Sequence, residues 1–298
     1  MKKSFLFVLL CMLASVLPAQ KKMYVWQGKT PTEFEVQTVD SVTFADAEPT
    51  PVPTEPVFSV SADKQVQFAP GNLQYTRSTK TWSFAAQQYE AIGEANVANG
   101  ALADKIDLFG WSGSTGTAQW GISTSTSNAD YSGDFADWGQ NIGDGTTWRT
   151  LTYDEWRYLL NTRTNASTLK GVARINLNAD GSEYVNGLIL LPDNWRAPAN
   201  ITFKSGFASS FGIQEYADYQ TFTLDKWSKL ETAGAVFLPV SGYRRWLDFH
   251  NVQDYGFYWS ATYISTDSAY FLNFGSGYTG EGGNVRNAGQ AVRLVQDL

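Results

Sequence analysis

The chain has 298 residues and a formal net charge of −7, and no stretch of it clusters the Lys and Arg that a nucleic-acid surface needs to meet phosphates. Eleven Trp, 15 Tyr and 18 Phe stand beside 26 Gly with 17% charged residues, a profile of a loop-rich, β-biased fold rather than a helical one. A single cysteine, Cys11, leaves no basis for a disulfide scaffold, a thiolate metal site or a cysteine nucleophile in the remainder of the chain.

Residues 1–19 read as a secretory signal: Lys2 and Lys3, the apolar run Ser4 to Ala14, and the small-residue exit Leu17-Pro-Ala19. The apolar run is too short for a transmembrane span, and no later stretch competes with it. Leu10 precedes Cys11 where a lipid anchor has a small residue, so lipidation is not expected. The chain is therefore expected to be exported, to the cell surface, the periplasm or the medium.

Residues 20–46 predict a short β-hairpin that turns at Gly28-Lys-Thr-Pro31. Residues 47–57 carry Pro49, Pro51, Pro53 and Pro56, which predicts an extended, semi-rigid linker. Residues 58–298, roughly 240 residues, suffice for a domain with a hydrophobic core. Strands are expected at Phe58-Ser-Val-Ser61, Gln65-Val-Gln-Phe68 and Thr81 to Ala86, and long loops at Ser112 to Thr117 and Gly121 to Gly145. Thr152 to Arg163 predicts a helix: Thr152 caps it, Glu155 completes a capping box, and Trp156, Leu159 and Leu160 share a face. Val172 to Leu177 and Gly187 to Pro192 predict two strands joined through Asn178-Ala-Asp-Gly181, and Thr223 to Leu230 a second helix. Ala269 to Phe274 predicts a strand, Gly275 to Asn284 a mobile loop, and Ala291 to Val295 a returning strand. Trp111, Trp156, Trp195 and Trp259 are expected in the core.

Three constellations invite chemistry. Asn176-Leu-Asn-Ala-Asp-Gly181 imitates half of a calcium loop, but its twelfth position is Gly187 instead of the bidentate Glu, and Asp-Gly is a turn signal. His250 is the one histidine; no Gly-x-Ser-x-Gly elbow accompanies it, and zinc sites built on several histidines are impossible. Asp154 and Glu155 suit the first turn of a helix as negative charges near its positive end. No cofactor, metal or catalytic residue is assigned. The run of Tyr, Ser, Thr, Asp, Asn and Arg across 263–287 instead has the composition of a recognition surface.

Taken in order, Trp148-Arg-Thr-Leu-Thr-Tyr-Asp-Glu-Trp156, Gly187-Leu-Ile-Leu-Leu-Pro-Asp-Asn-Trp195, Phe237-Leu-Pro-Val-Ser-Gly-Tyr-Arg244, Tyr258-Trp-Ser-Ala-Thr262 and Val292-Arg-Leu-Val295 resemble secreted bacterial domains of the C-type lectin fold in its formylglycine-generating-enzyme (sulfatase-modifying factor) version. The resemblance covers residues 58–298 and implies an α+β fold of short twisted antiparallel strands, about two helices and long loops. The enzyme branch of that family depends on a cysteine pair near the C-terminus that this chain lacks. The calcium-dependent lectin branch uses Glu-Pro-Asn and Trp-Asn-Asp, whereas only Glu48-Pro-Thr50 and Glu55-Pro-Val57 occur here. The closest likeness is to the variable ligand-binding proteins of diversity-generating retroelements and their invariant secreted relatives. In that branch the segment between Tyr-Trp-Ser-x-Thr and the final Val-Arg is the binding face.

The expected function is accordingly that of an exported, non-catalytic, adhesin-like module for a protein or glycan ligand, with no nucleic-acid partner. Its contact residues are expected to be Tyr263, Asp267, Tyr278, Glu281, Asn284, Arg286 and Asn287, edged by Trp246, His250 and Tyr255. The alternatives are a divergent enzyme, either a modifying-factor-type oxidase or a carbohydrate hydrolase, and a structural cell-surface or fimbrial component.

Overall fold

A computed structural model describes residues 22–27, 29–36, 55–207 and 216–298. The chain divides into two compact units, Met1–Val52 and Pro53–Leu298. The expected signal segment and Cys11 lie outside the described residues, as does residue 28 at the expected hairpin turn; of the proline-rich linker only 55–57 is described. In the first unit Lys22–Gln27 pairs antiparallel with Thr30–Glu35, and every residue of the second strand is exposed.

The second unit is α+β, built from small, mostly antiparallel sheets, and none of its described helices is long and apolar enough to cross a membrane. Its first and last strands belong to one sheet: Phe58–Ser59 pairs with Gln65–Phe68, which pairs with Leu294–Asp297, which pairs with Trp148–Thr150. A second sheet runs in the order Thr221–Thr223, Lys170–Asn176, Tyr184–Leu190, Val236–Pro239. Its one parallel contact is between the first two of these strands. The helix Leu224–Thr232 starts where the Thr223 hydroxyl accepts from Lys226 N, and it turns Trp227 and Leu230 inward. Trp111, Trp156 and Trp259 are buried as expected, and Trp195 is half-buried.

The capping box forms: Thr152 Oγ1 accepts from Glu155 N, and Glu155 Oε2 accepts from Thr152 N at 2.9 Å. Beyond it the expected single helix is α only over Tyr153–Arg157 and widens to a π-turn over Tyr158–Thr162. Buried cations explain the change. Arg163 Nε takes the Leu159 carbonyl at 2.8 Å and Lys170 Nζ takes that of Leu160, so both carbonyls are drawn to side chains while Arg163 N reaches back to Tyr158 O at 2.9 Å.

The expected mobile loop 275–284 is in fact a strand. Tyr278–Val285 pairs with Ser268–Gly275 in eight consecutive registers, and Gly256–Tyr263 completes a three-stranded sheet. Glycine disfavours strands entropically, but a ladder needs only backbone groups, and Gly282 is required because a Cβ there would sit 2.8 Å from the Phe271 ring. The returning strand begins later than expected, at Leu294. Before it, Ala291 N donates to Phe257 O and Leu73 N donates to Val292 O, contacts that tie three parts of the chain together without a regular ladder.

Arg293 sits at the centre, 1% exposed. Its Nε donates to Asn72 Oδ1 at 3.0 Å, one terminal nitrogen reaches Ala69 O and Gln88 Oε1 (both 3.3 Å), and the other reaches Phe237 O at 2.8 Å and Gln88 O at 3.4 Å. Asn72 Nδ2 in turn donates to the Tyr258 hydroxyl at 3.1 Å, and that hydroxyl donates to Pro239 O at 2.9 Å. Burial lowers the guanidinium pKa to about 10, so it stays charged at neutral pH. Arg293→Ala, which strands these acceptors in the interior, is expected to lose about 3–5 kcal/mol in urea titration, and Tyr258→Phe about 1–3 kcal/mol. A loss under 1 kcal/mol for Arg293→Ala is incompatible with this network.

Candidate functional site

The three-stranded C-terminal sheet sorts side chains by pairing, since directly opposed residues share a face. Leu272 opposes Tyr258 and Glu281, and Phe274 opposes Thr279; Tyr258, Leu272 and Phe274 enter a core cluster, so this face looks inward. The other face carries Phe257, Asn273 and Gly280 in one row, Trp259, Phe271 and Gly282 in the next, and Tyr263, Ala269 and Asn284 at the far end.

At the near end the rings form a connected strip. His250 stacks on Tyr243 (centroids 5.0 Å apart, 21° between planes), Tyr243 meets Phe257 edge-on at 5.1 Å, and Phe257 lies 5.6 Å from Phe271. Tyr255 lies 6.4 Å from Phe257 and 6.0 Å from Tyr278. Gly275 is obligatory beneath Tyr255, whose ring would lie 2.6 Å from a Cβ there. Asn273 Nδ2 donates to the Tyr278 hydroxyl at 2.9 Å, and Tyr278 is 41% exposed. The strip thus has a buried base of Phe257 and Phe271 and accessible ends at His250 and Tyr278.

Trp246 stands at the turn between Tyr243–Arg245 and Asp248–His250, in the left-handed region (φ 57°) and 51% exposed. Buried Arg244 holds this turn: its terminal nitrogens donate to Trp246 O at 2.6 Å and to Ser123 O at 2.9 Å. Burial lowers its pKa.

At the far end Tyr263, 51% exposed, and Asp267 face outward. Asn284 is half-buried and turns its Oδ1 back onto Val285 N. Two expected contact residues belong to the interior. Arg286 is 2% exposed; its guanidinium lies 4.2 Å from the Trp111 ring and donates to Gly133 O, Tyr131 O and Ser265 O. Asn287 is buried and donates to Thr126 O at 2.7 Å and to Asn128 Oδ1 at 2.8 Å. A third, Glu281, lies on the inward side of the sheet and accepts from Asn161 Nδ2 at 3.2 Å. Polar letters in a Gly-rich run read as exposed; loop carbonyls recruited Arg286 and Asn287 inward. Tyr243, Asn273 and exposed Ile264 were missed, although strand alternation places Asn273 on the outward face.

A cleft of about 550 Å³ opens beside this end, lined by Ile92, Gly93, Tyr184, Asn186, Val252 and Gln253 among others. Asn186 braces it, donating to Gln253 O at 3.1 Å and accepting from Arg174 Nε at 3.0 Å. Behind its other wall Asp107 is fully buried and accepts from Ile92 N at 2.8 Å and from Asn96 Nδ2 at 2.7 Å. Among the described residues, no three His, Cys, Asp or Glu side chains converge as metal ligands would. Compared with family models, curated proteins and solved structures, the chain matches none.

Burial raises the Asp107 carboxyl from 3.8 to about 6. A folded-state value above the unfolded one means that this group's stabilising contribution is complete below about pH 4 and is lost as pH rises through about 6. Asp107→Asn removes the titration. The wild-type stability relative to the variant is expected to fall by about 3 kcal/mol between pH 4 and pH 7, read from urea midpoints at the two values. A difference that does not change with pH would show that the carboxyl is ionised throughout.

Proposed function

We propose that the chain is an exported, non-catalytic binding module whose recognition face is the exposed rim of the C-terminal sheet, at Tyr263, Asp267 and Tyr278, with the 243–255 loop beside it; the middle of that side, Phe257, Trp259, Ala269 and Phe271, is buried in the core. The observation that carries the reading is the aromatic strip. Tyr278, Tyr255, Tyr243 and His250 present rings and polar tips outward, while the strands beneath are fixed by Phe257 and Phe271. Rings held this way lose little conformational entropy on binding, which is why Tyr and Trp dominate recognition surfaces. The ligand contacts we assign are Trp246, His250, Tyr255, Tyr263, Asp267 and Tyr278, with Tyr243 and Asn273 added.

We further propose the C-type lectin-like fold of the modifying-factor type, nearest to the retroelement variable proteins and their invariant relatives. The placement of the domain's first and last strands in one sheet and the long irregular stretch between Phe84 and Trp148 favour it. So does the position of the motif residues Trp156, Tyr258 and Arg293, all deep in the core. An adjacent reverse-transcriptase gene with a near-copy of the last hundred or so bases differing at adenines would place the chain in the variable branch; a gene neighbourhood without either would place it outside.

Binding to glycan and peptide arrays tests the site. Tyr278→Ala and His250→Ala are each expected to weaken any ligand at least tenfold while moving the melting midpoint by no more than about 2 °C, because exposed substitutions cost about 0.5 kcal/mol or less. Arg286→Ala is expected to lower the midpoint by more than that. Should Tyr278→Ala and His250→Ala bind every array ligand as tightly as the wild type, the recognition face lies elsewhere.

A further inference from the structure

The outer strand of the C-terminal sheet, Tyr278–Val285, has a neighbour on one side only. Arg286 N donates to Asp267 O, which makes the pair 267/286 a hydrogen-bonded one. Alternation along the ladder then turns the backbone groups of residues 278, 280, 282 and 284 inward and those of Thr279, Glu281, Gly283 and Val285 outward. Val285 N is taken by the Asn284 side chain. Among the described residues, no hydrogen bond outside the ladder ends on the backbone of Thr279, Glu281 or Gly283. No residue of the strand is buried, and its eight registers run without a bulge.

Edges of this length are ordinarily blunted with Pro, Lys or a bulge because they template pairing with another chain. This strand, Tyr-Thr-Gly-Glu-Gly-Gly-Asn-Val, has none of these devices. It carries glycine at 280 and 282 on the side of Asn273 and Phe271; the Phe271 ring already covers Gly282, whereas at Gly280 the nearest atom to a Cβ would be Asn273 Oδ1 at 3.6 Å, so a strand added alongside finds an open cross-strand position at Gly280. Large flat side chains fill such gaps over edge glycines. Acidic residues predominate nearby: from Trp246 to Val285 the chain holds Asp248, Asp254, Asp267 and Glu281 and neither Lys nor Arg, although exposed Arg245 adjoins the stretch and Lys170 interacts with Glu281.

We propose that the partner is a polypeptide that binds as a fourth strand along Tyr278–Val285, an extended segment with an aromatic residue opposite Gly280 and Lys or Arg among its neighbours. The inference rests on the binding-face reading and names the partner's class: main-chain pairing at the edge supplies affinity, and the aromatic strip and the carboxylates supply selectivity.

The probe is a capped ten-residue peptide alternating Tyr and Thr with Lys, set beside the same peptide with Glu for each Lys and beside a glycan array. The full chain is expected to bind the Lys peptide at least tenfold more tightly than the Glu peptide. Thr279→Pro removes one outward N–H while leaving the inward ladder intact, and is expected to weaken binding at least tenfold with an unchanged melting midpoint. In the wild type, residue-resolved hydrogen exchange is expected to show the amides of 279, 281 and 283 gaining protection with the Lys peptide, whereas 280 and 282 are protected already; this readout decides the matter if the proline variant does not fold. Equal affinity of Thr279→Pro and wild type, binding to glycans alone, binding to neither peptide, or no new protection at 279, 281 and 283 each overturns the proposal. If Tyr278→Ala loses binding while Thr279→Pro keeps it, strand addition fails and the recognition face stands.

Discussion

A guanidinium buried without a carboxylate partner governs this domain. A desolvated cation is tolerable only when hydrogen bonds replace its hydration, so Arg293 dictates where Ala69, Asn72, Gln88 and Phe237 must present their oxygens. Those residues come from three separate parts of the chain. Through Asn72 the constraint passes to the Tyr258 hydroxyl and on to Pro239, which seats the strand Gly256–Tyr263 and, with it, the sheet that carries the aromatic strip.

The same device recurs wherever regular structure gives out. Arg163 gathers the carbonyls of Leu159 and Leu169 together with Asp193, Arg244 those of Trp246 and Ser123, and Arg286 those of Tyr131, Gly133 and Ser265. Irregular segments leave buried carbonyls without backbone donors, and arginine brings five N–H groups in a rigid fork to meet them. A loop-rich domain with no cysteine beyond Cys11 can be held this way from within. The two arginines beside the proposed recognition face differ from the others: among the described residues, Arg244 and Arg286 each keep a buried Nε without a partner. The left-handed backbone at Trp246, Asn251 and Gln253 belongs to the same loop that Arg244 holds.

Local signals in the sequence proved readable where they acted locally. Thr152 and Glu155 announced a capping box that forms, Thr223 caps the second helix, and the turn at Asn178 to Gly181 joins the two long strands as read. What escaped was decided at a distance. The π-turn after Arg157 depends on Lys170, a strand away, and the inward pull on Arg286 and Asn287 depends on carbonyls between Thr126 and Gly133 and at Ser265. The glycines of 280–283 signalled a loop because propensity counts side chains, whereas the strand they form is fixed by a partner ladder and by Phe271 needing room. Of the expected site, Trp246, His250, Tyr255, Tyr263, Asp267 and Tyr278 lie outward or at its edge because alternation and turn position, both local, put them there.

This division of labour explains how the face can be rich in side chains and yet independent of them for folding. The Arg293 network and the buried rings of Tyr258 and Phe274 position the sheet from one side, and Trp259 and Phe271 anchor it on the other. The outermost strand then needs only its backbone to join, so Tyr278 and Asn284 touch little that the core depends on. If the surface is the proposed recognition face, changing such residues alters what it binds while the carbonyl-to-arginine contacts beneath remain as they were. The cost falls on the edge: a strand free of Pro, Lys and bulges keeps its outward amides open, and under the proposed reading recognition through side chains and recognition through main chain are two uses of one strand.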